Sequence, residues 1–349
     1  MLNLPRTIEW FGNEVRLINQ LKLPDSLEFI VTNDWIRIAE AIKKMEIRGA
    51  PAIGVAAGFG VGLAVLECRR KNMGLNECKN FLYHVIDELK KTRPTAVNLY
   101  WALNRLKDVI DRCNSVNSLI DNVIDEAKKI QIEDEQSNLK IGKLGSQLIR
   151  DGDTIITVCN AGSLATSYYG TATAPLYKAF EEGKKFRVLA METRPYLQGA
   201  RLTTWELSKV GIDVKLITDN SIGIVMEKEK IDLVFVGADR VTRKGYVANK
   251  IGTYPLALLS HVHNVPFYVV APTSTIDLSI EYGDEIKIEE RPSEEVIYIY
   301  GKRIVPKGVS ALYYAFDITP PNLITGIITE KGIVYPPFER NILKLLKND

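Results

Sequence analysis

The sequence predicts an α/β protein in which a mostly helical N-terminal domain precedes a domain built on a parallel sheet. Up to about residue 150 the apolar side chains recur at helical spacing, whereas after Asp151-Gly152-Asp153 short apolar runs alternate with helical segments. Continuous apolar strands separated by helices indicate a parallel sheet buried on both faces. A chain of 349 residues is also longer than most single cores. We expect a helical domain with short N-terminal strands over residues 1–145 and a Rossmann-like, doubly wound α/β domain over residues 146–349.

In the first domain, residues 1 to about 30 mix polar and apolar side chains in the manner of short strands and turns, and Asp34 is a suitable cap for a helix beginning near Trp35. The uncharged segment Gly49 to Leu66 imitates a membrane span, but it is rich in Gly and Ala and has no second run like it. A closely packed buried helix fits it better. Further helices are predicted around Leu82–Leu89, Leu99–Ile110 and Val116 to about Ile149.

The second domain is expected to contain six apolar strands with helices between them, such as Gly199–Val210 and Lys250–His263. No GxGxxG follows the first strand, so a nicotinamide cofactor has no evident binding loop. The predicted strands are Thr154–Val158, Phe186–Met191, Asp213–Thr218, Ile231–Val236, Phe267–Ala271 and Leu323–Thr329.

Composition narrows the range of partners. The net charge of +2 gives no basic face of the kind that binds nucleic acid, and the N-terminus breaks its apolar stretch with Pro5, Arg6 and Glu9, unlike a signal peptide. The four cysteines form no CxxC pair and the chain has three histidines, so we expect neither a metal site nor a cofactor. We therefore expect a cytoplasmic protein with reduced thiols, without nucleic-acid or membrane partners.

Two of the predicted strands run directly into reactive side chains. Thr154 to Val158 leads into Cys159, and Leu233 to Val236 leads through Gly237 and Ala238 into Asp239. In open parallel sheets, ligands bind beyond the carboxyl ends of the strands, where a thiol and a carboxylate can converge. Taken singly, however, each is more often a buried filler or a turn residue.

Cations for an anionic substrate are available at three places. Arg48-Gly49-Ala50-Pro51 places an arginine before a helix whose proline suits its first turn, which is a favourable arrangement for a phosphate. Arg93-Pro94-Thr95 offers a second cation before another helix, and Asn249-Lys250 is expected at the start of the helix that follows Asp239. For the first of these patterns, an ordinary helix start with an exposed arginine is an equally good explanation. With the hydroxyl-rich strand ends, the cations suit a phosphosugar.

Longer motifs carry a specific resemblance. The segments IRGAPAIGVAAGFG, CNAGSLAT, ETRPYLQGARLTTWEL, VGADRV, YVANKIGTYPLALL and FDITPPNLITGIITEKG resemble the S-methyl-5-thioribose-1-phosphate isomerases of methionine salvage, and related motifs continue in family order from Ile8 to Gly332. The resemblance implies an aldose–ketose isomerase that forms a homodimer. It implies Asp239 as the proton donor and Cys159 as the residue assisting the transition state. The substrate-binding residues that it implies are Arg48, Gly49, Ala50, Arg93, Gln198, Asn249 and Lys250.

The implied chemistry suits these residues. A sugar phosphorylated at its anomeric oxygen cannot open as a free hemiacetal, so ring opening requires an acid, for which an apolar setting of Asp239 would hold the proton. Hydrogen then moves from C2 to C1, either as a proton through Cys159 or as a hydride. We favour the proton route. Val158 stands where many family members have His, and Tyr313-Tyr314 replace the usual Asn-Pro.

Two other functions are compatible with the resemblance. Isomerases acting on ribose 1,5-bisphosphate need a further cation for the second phosphate. The regulatory subunits of the exchange factor for translation initiation factor two share the fold without needing the complete set of site residues, which this chain retains.

Overall fold

The computed structural model describes residues 2–93 and 96–347, which form two compact units. We call residues 5–138 and 163–170 the helical unit, and residues 2–4, 139–162 and 171–347 the sheet unit. The predicted domain boundary at residues 145/146 falls inside a helix, Val116–Ser146, which contributes to both units.

The helical unit begins with an antiparallel three-stranded sheet in the order β1-β2-β3 and continues as five helices. The Asp34 side chain accepts a hydrogen bond from the backbone N–H of Ile36 at 2.9 Å, which confirms the predicted cap. The elements are β1 (Ile8–Phe11), β2 (Glu14–Ile18), β3 (Phe29–Thr32), α1 (Trp35–Lys43), α2 (Ala50–Arg70), α3 (Leu75–Thr92), α4 (Val97–Arg112) and α5 (Val116–Ser146).

Helix α2 is the central helix of this unit. In the described part of the chain it alone is long and apolar enough to span a membrane, and 83% of its most apolar window is buried within the fold. Glycine lets its neighbours approach closely: a Cβ at Gly54 would lie 2.9 Å from the carbonyl oxygen of Asn98 on α4. The prediction of a closely packed buried helix is therefore confirmed.

A disulfide joins Cys68 of α2 to Cys78 of α3, with 5.6 Å between the two Cα atoms. Both residues are completely buried, whereas Cys113 and Cys159 are free thiols. The expectation that all four thiols are reduced is therefore wrong for this pair. The sequence contains no CxxC, and the two cysteines meet only because α3 folds back against α2 after a short turn.

The sheet unit is built on a seven-stranded sheet in the order β16-β15-β10-β7-β4-β5-β6. All its pairings are parallel except that of β15 with β16, and the central strands are buried along their length, as the apolar runs predict. Its strands are β4 (Thr154–Thr157), β5 (Arg187–Met191), β6 (Asp213–Ile217), β7 (Leu233–Val236), β10 (Phe267–Val270), β15 (Gly326–Thr329) and β16 (Gly332–Val334).

The helices of this unit are α6 (Ala174–Glu181), α7 (Thr204–Val210), α8 (Ile222–Lys228), α9 (Thr253–Val262), α10 (Glu294–Ile297) and α11 (Phe338–Lys347). A second sheet, in the order β11-β8-β9-β14, comprises β8 (Arg240–Thr242), β9 (Val247–Lys250), β11 (Ile276–Asp277) and β14 (Phe316–Thr319). A hairpin is formed by β12 (Tyr298–Ile299) and β13 (Lys302–Arg303). The doubly wound fold class is confirmed.

Two predicted helices differ from the structure. Gly199–Val210 begins with a π-helical turn, Gly199–Thr203, before α7. Asn249 and Lys250 lie at the end of strand β9, which pairs with β14, and α9 starts only at Thr253. The prediction that they open the helix was wrong because their backbone is held by an antiparallel partner strand much later in the chain, with Asn249 facing Asp317 and Lys250 facing Phe316.

Loss of the Cys68–Cys78 bridge is expected to lower the free energy of unfolding by about 3 kcal/mol, because the crosslink restricts the unfolded chain. Urea unfolding of the parent with and without dithiothreitol measures this. The double variant Cys68→Ala/Cys78→Ala is the control and should not respond to reductant. The prediction would be contradicted if dithiothreitol made all four thiols titratable, which shows that the bridge is reduced, and yet left the urea midpoint of the parent unchanged.

Candidate functional site

Cys159 and Asp239 follow neighbouring strands at the point where the order of the sheet reverses. From β4 the chain proceeds outward through β5 and β6, then returns to β7 on the other side of β4. Ile155 pairs with Leu233 in this central ladder. Ligands of open α/β sheets bind beyond the carboxyl ends of strands at such a reversal. Of the possible positions in the sheet, the thiol and the carboxylate therefore occupy the one best suited to a ligand.

The Cys159 backbone has an unusual conformation, with φ of 65°. Thr193 and Leu197, in the loop after β5, also have positive φ, of 61° and 57°. Such conformations cost roughly 1–3 kcal/mol each in non-glycine residues and persist where the surroundings impose them, often at active sites. The backbone at this edge of the sheet is therefore held by its neighbours rather than by its own preference.

One segment, Thr193–Glu206, binds Cys159 at three of its groups. The Cys159 N–H donates to Thr193 Oγ1 at 2.8 Å, and its carbonyl accepts from Thr203 Oγ1 at 2.6 Å. Gln198 Nε2 donates to Cys159 Sγ at 3.4 Å. The segment corresponds to the ETRPYLQGARLTTWE motif of the sequence. We call it the clamp segment.

Gln198 stands immediately before the π-helical turn of the clamp segment and is 3% exposed. Its Nε2 reaches the thiol, while its Oε1 is buried without a hydrogen-bond partner. An unpaired buried acceptor is costly and calls for an explanation. A hydroxyl donor from a ligand would satisfy this oxygen, which supports Gln198 as a binding residue.

Asp219 holds the start of the clamp segment in place. Its two carboxylate oxygens accept from the backbone N–H groups of Thr193 at 2.8 Å and Arg194 at 2.6 Å. Sequence reasoning missed Thr193, Thr203 and Asp219 as supporting residues. These residues could have been suspected because they lie in the motifs ETRPYLQGARLTTWEL and DNSIGIVM. The motifs do not, however, reveal which backbone group each side chain binds.

Asp239 lies in the short connection between β7 and β8 and is half-buried. Its N–H donates to the carbonyl oxygen of Ala248 on β9 at 2.9 Å. This bond ties the carboxylate's backbone to the strand that carries Asn249 and Lys250. Close packing of Gly237 on Ala161, where a Cβ would come within 2.6 Å of the Ala161 Cβ, keeps the continuations of β7 and β4 together.

Asp317 organises the backbone beyond Lys250. Its carboxylate accepts from the N–H of Gly252 at 2.7 Å and of Tyr254 at 3.0 Å, at the start of α9. Burial raises its pKa to about 6, although those N–H groups and the nearby Lys250 act in the opposite direction.

The Lys250 Nζ lies 4.2 Å from the centre of the Phe316 ring. Asn249 Nδ2 donates to Thr253 Oγ1 at 3.0 Å, so both residues of the pair are positioned by contacts around this turn.

Tyr313, one of the departures from the family pattern, is buried. Burial raises the pKa of its phenol to about 12, and charge on Glu295 and Cys159 acts in the same direction. Its main-chain carbonyl accepts from the N–H of Arg291 at 2.9 Å. The phenol is therefore neutral at physiological pH.

The helical unit contains the other predicted binding residues. Arg48, Gly49 and Ala50 are consecutive at the start of α2, where Gly49 has φ of 94° and no side chain caps the helix. Gly49 packs on Ala165 so closely that a Cβ would lie 2.4 Å from its Cα. Ser163, on the same short turn as Ala165, has a buried Oγ without a hydrogen-bond partner. The uncapped helix start and this hydroxyl provide hydrogen-bond donors for an anion.

Arg93 is the residue that ends α3 and is half-buried. The Pro94-Thr95 part of its motif lies outside the described residues. Within residues 2–93 and 96–347 there is no group of three or more His, Cys, Asp or Glu side chains that could hold a metal ion.

Comparison with known proteins identifies the family. The model of the Initiation factor 2 subunit family matches residues 46–336. The chain belongs to this family. It is 52% identical over 341 residues to the methylthioribose-1-phosphate isomerase of Thermotoga neapolitana, covering 98% of both chains.

Solved structures show the same relationship. The 5-methylthioribose 1-phosphate isomerase of Pyrococcus horikoshii OT3 superposes with a TM-score of 0.94 at 44% identity, over 99% of this chain and 97% of the other. A structure described as translation initiation factor eIF-2B, subunit delta, from A. fulgidus gives a TM-score of 0.90 at 45% identity, over 99% and 100%. Overall similarity therefore places the chain near proteins with both descriptions, and the site residues must distinguish them.

Replacing Thr193 by Val should lower the free energy of unfolding by about 1–3 kcal/mol, because the Cys159 N–H loses its acceptor while the side-chain shape is kept. Thr193→Ser is the matched control, since it retains the hydroxyl. Urea unfolding of both variants provides the measurement. Equal stability of the two would show that this hydrogen bond does not hold the Cys159 backbone.

Proposed function

We propose that this chain is an aldose–ketose isomerase that converts 5-methylthioribose 1-phosphate into 5-methylthioribulose 1-phosphate in methionine salvage. The observation that carries the proposal is the placement of Cys159 and Asp239 after adjacent strands at the reversal of the sheet, with Gln198 at the thiol. Full-length similarity to methylthioribose-1-phosphate isomerases supports the same activity.

Asp239 is proposed as the acid that opens the sugar ring. The substrate's anomeric oxygen carries phosphate, so the ring oxygen must receive a proton before its bond to C1 breaks. A carboxylic acid beyond a parallel strand, half-buried and fixed through its backbone to β9, is suited to donate it. Its position next to the strand of Cys159 favours action on the same sugar.

Cys159 is proposed to act in the following hydrogen transfer from C2 to C1. In the proton route, the Cys159 thiolate removes the C2 proton of the ring-opened sugar and an enol phosphate forms. The thiol then returns the proton to C1, while the C2 hydroxyl proton passes to the Asp239 carboxylate that ring opening has left and the C2 ketone forms. The Gln198 N–H at Sγ stabilises the negative charge of the thiolate that acts as the base. Gln198 Oε1, which is buried without a partner, then accepts a hydrogen bond from a sugar hydroxyl. These contacts support the proton route over a hydride shift.

Each unit, taken by itself, contains residues that we propose for substrate binding. Arg48, with the start of α2 at Gly49 and Ala50, suits a phosphate group, and Arg93 adds a second cation. In the sheet unit, Asn249 and Lys250 are held at the end of β9 by contacts with Thr253 and Phe316.

A regulatory subunit is the alternative of a different class, suggested by the similarity to the A. fulgidus protein described as a subunit of translation initiation factor eIF-2B. A regulatory subunit would not require a clamp segment that holds the Cys159 thiol, a buried Gln198 Oε1 without a partner, or Asp239 after the neighbouring strand. Ribose 1,5-bisphosphate isomerisation is the closer alternative. Full-length similarity to methylthioribose-1-phosphate isomerases favours the methylthio sugar over the bisphosphate.

We also propose that the protein is a cytoplasmic homodimer. A doubly charged phosphosugar does not cross membranes unaided, so its isomerase belongs in the compartment that makes the substrate. An apolar stripe along α9 supports self-association: Tyr254, Leu258 and Val262 are spaced four apart and exposed by 40%, 42% and 62%, and Ile224 on the adjoining α8 is 52% exposed.

The activity is tested by incubating the purified protein separately with 5-methylthioribose 1-phosphate and ribose 1,5-bisphosphate and following the ketose carbonyl by carbon NMR. We expect rapid conversion of the first and at least a hundredfold lower kcat/KM for the second. Preference for the bisphosphate would replace the proposed substrate. Failure to convert either sugar would support the regulatory alternative.

Asp239→Asn should reduce kcat by a factor of about 10² or more while substrate still binds, because an amide keeps the shape but cannot supply an acidic proton. Turnover and equilibrium binding are measured in parallel. Asp213→Asn, at the exposed start of β6, is the control for loss of one carboxylate and should retain the parent kcat. Near-parent turnover of Asp239→Asn would reject Asp239 as the acid.

Leu258→Glu should convert the proposed dimer into a monomer, since a charge on each copy of the stripe would be buried unpaired at the interface. Light scattering after size exclusion should give twice the chain mass of 39.2 kDa for the parent and that mass for the variant. Ile304→Glu, at another exposed apolar position, is the matched control and should remain dimeric. A dimeric Leu258→Glu protein would exclude α9 as the interface.

A further inference from the structure

We propose that Glu206 is a positioning residue for this reaction, which holds the Cys159–Gly162 turn through Asn160 so that the thiol stays in its reactive place. The inference rests on the proposed isomerase activity and adds a residue that the sequence motifs and family resemblance did not assign.

Glu206 lies in the first turn of α7 and is completely buried. Burying a carboxylate is expensive unless it is hydrogen-bonded, so its presence at this position requires a specific use. One of its oxygens, Oε1, accepts from Asn160 Nδ2 at 2.9 Å. The acidic group is therefore engaged by the residue directly after the catalytic cysteine.

The carboxylate also packs directly against Gly162, the last residue of the turn. A Cβ on Gly162 would lie 1.4 Å from Glu206 Oε1 and 2.7 Å from Oε2. Only glycine permits the backbone to come this close. Glu206 thus contacts the turn at two positions, the side chain of Asn160 and the backbone of Gly162.

A chain of hydrogen bonds connects this contact to Cys159. Asn160 Nδ2 also donates to Thr203 Oγ1 at 3.2 Å, and Thr203 Oγ1 donates to the Cys159 carbonyl at 2.6 Å. The Cys159 backbone, with φ of 65°, depends on such external bonds to keep its conformation. Because the carbonyl and the thiol belong to one residue, movement of the turn changes the distance from Sγ to Gln198.

Glu206 therefore acts through Asn160 and the turn. A misplacement of about 1 Å at reacting atoms can reduce rate by two orders of magnitude. Shortening the side chain by one methylene in Glu206→Asp withdraws the acceptor while leaving a carboxylate. Glu206→Gln keeps both the length and one acceptor oxygen, so it should restore the contact with Asn160.

The test compares kcat and KM for 5-methylthioribose 1-phosphate. We expect Glu206→Asp to lose at least tenfold in kcat with KM changed by less than threefold, and Glu206→Gln to recover at least one third of the parent kcat. Ile327→Val, a cavity variant in buried strand β15, is the control for a general loss of stability and should retain the parent kcat. Glu206→Asp with the parent kcat, or Glu206→Gln as impaired as Glu206→Asp, would overturn the proposal.

A double-mutant cycle tests the connection through Asn160. If Glu206 acts through that side chain, Asn160→Ala combined with Glu206→Asp should lose no more kcat than the more impaired single variant. Fully multiplicative losses would overturn the proposed route. Should Glu206→Asp fail to fold, Asn160→Ala alone decides, because removing the side chain through which Glu206 acts must lower kcat at least tenfold with KM changed by less than threefold, and an unchanged kcat would overturn the proposal. An inactive parent enzyme would reject the isomerase proposal itself, whereas an active parent with unaffected Glu206 variants would reject only the role of Glu206.

Discussion

The organisation of the sheet unit depends on the backbone of Cys159 being held in a conformation that cysteine does not favour. Its N–H, carbonyl and thiol are each bound by a different residue of one segment, Thr193, Thr203 and Gln198. Since a single left-handed residue costs roughly 1–3 kcal/mol, bonds of about 1 kcal/mol each can together maintain it. The clamp segment is in turn anchored by Asp219 at the end of the next strand, so three successive strand ends cooperate to place one sulfur atom.

The same arrangement explains why the polar groups of this region are buried. Thr193 and Thr203 would be poor choices for an apolar core, but here each hydroxyl is paired with the Cys159 main chain. Gln198 differs, because its Oε1 has no partner among the described residues. Buried polar networks give rigidity when complete, and an unpaired acceptor within such a network marks a place where a ligand donor fits. Gln198 is thus both the residue that leaves a buried acceptor unpaired and the residue at which we propose that the substrate binds.

Much of this could be predicted from the sequence, and the remainder depends on contacts between distant segments. Six of the seven strands of the main sheet and the positions of Cys159 and Asp239 follow from apolar runs and their ends, which are local features. The strand assignment of Asn249 and Lys250 depends on β14, a strand distant in the sequence, and so was missed. Pairing of Cys68 with Cys78 depends on how α3 turns back on α2, which periodicity does not reveal. Glu206 was overlooked because a charged residue in a helix is normally assigned to its solvent-exposed face.

The comparison with the A. fulgidus structure shows why these contacts, rather than the fold, bear on function. A TM-score of 0.90 means that the sheet order and its reversal are shared by a protein described as a translation factor subunit. A protein that only binds a partner gains nothing from a strained cysteine, a buried carboxylate behind it and an acid on the adjacent strand, and each of these features reduces stability. Several destabilising features occur together at one site where a chemical reaction requires their geometry. The isomerase assignment therefore rests most firmly on the least favourable parts of the structure, the positive φ of Cys159 and the buried Glu206 and Gln198 that surround it.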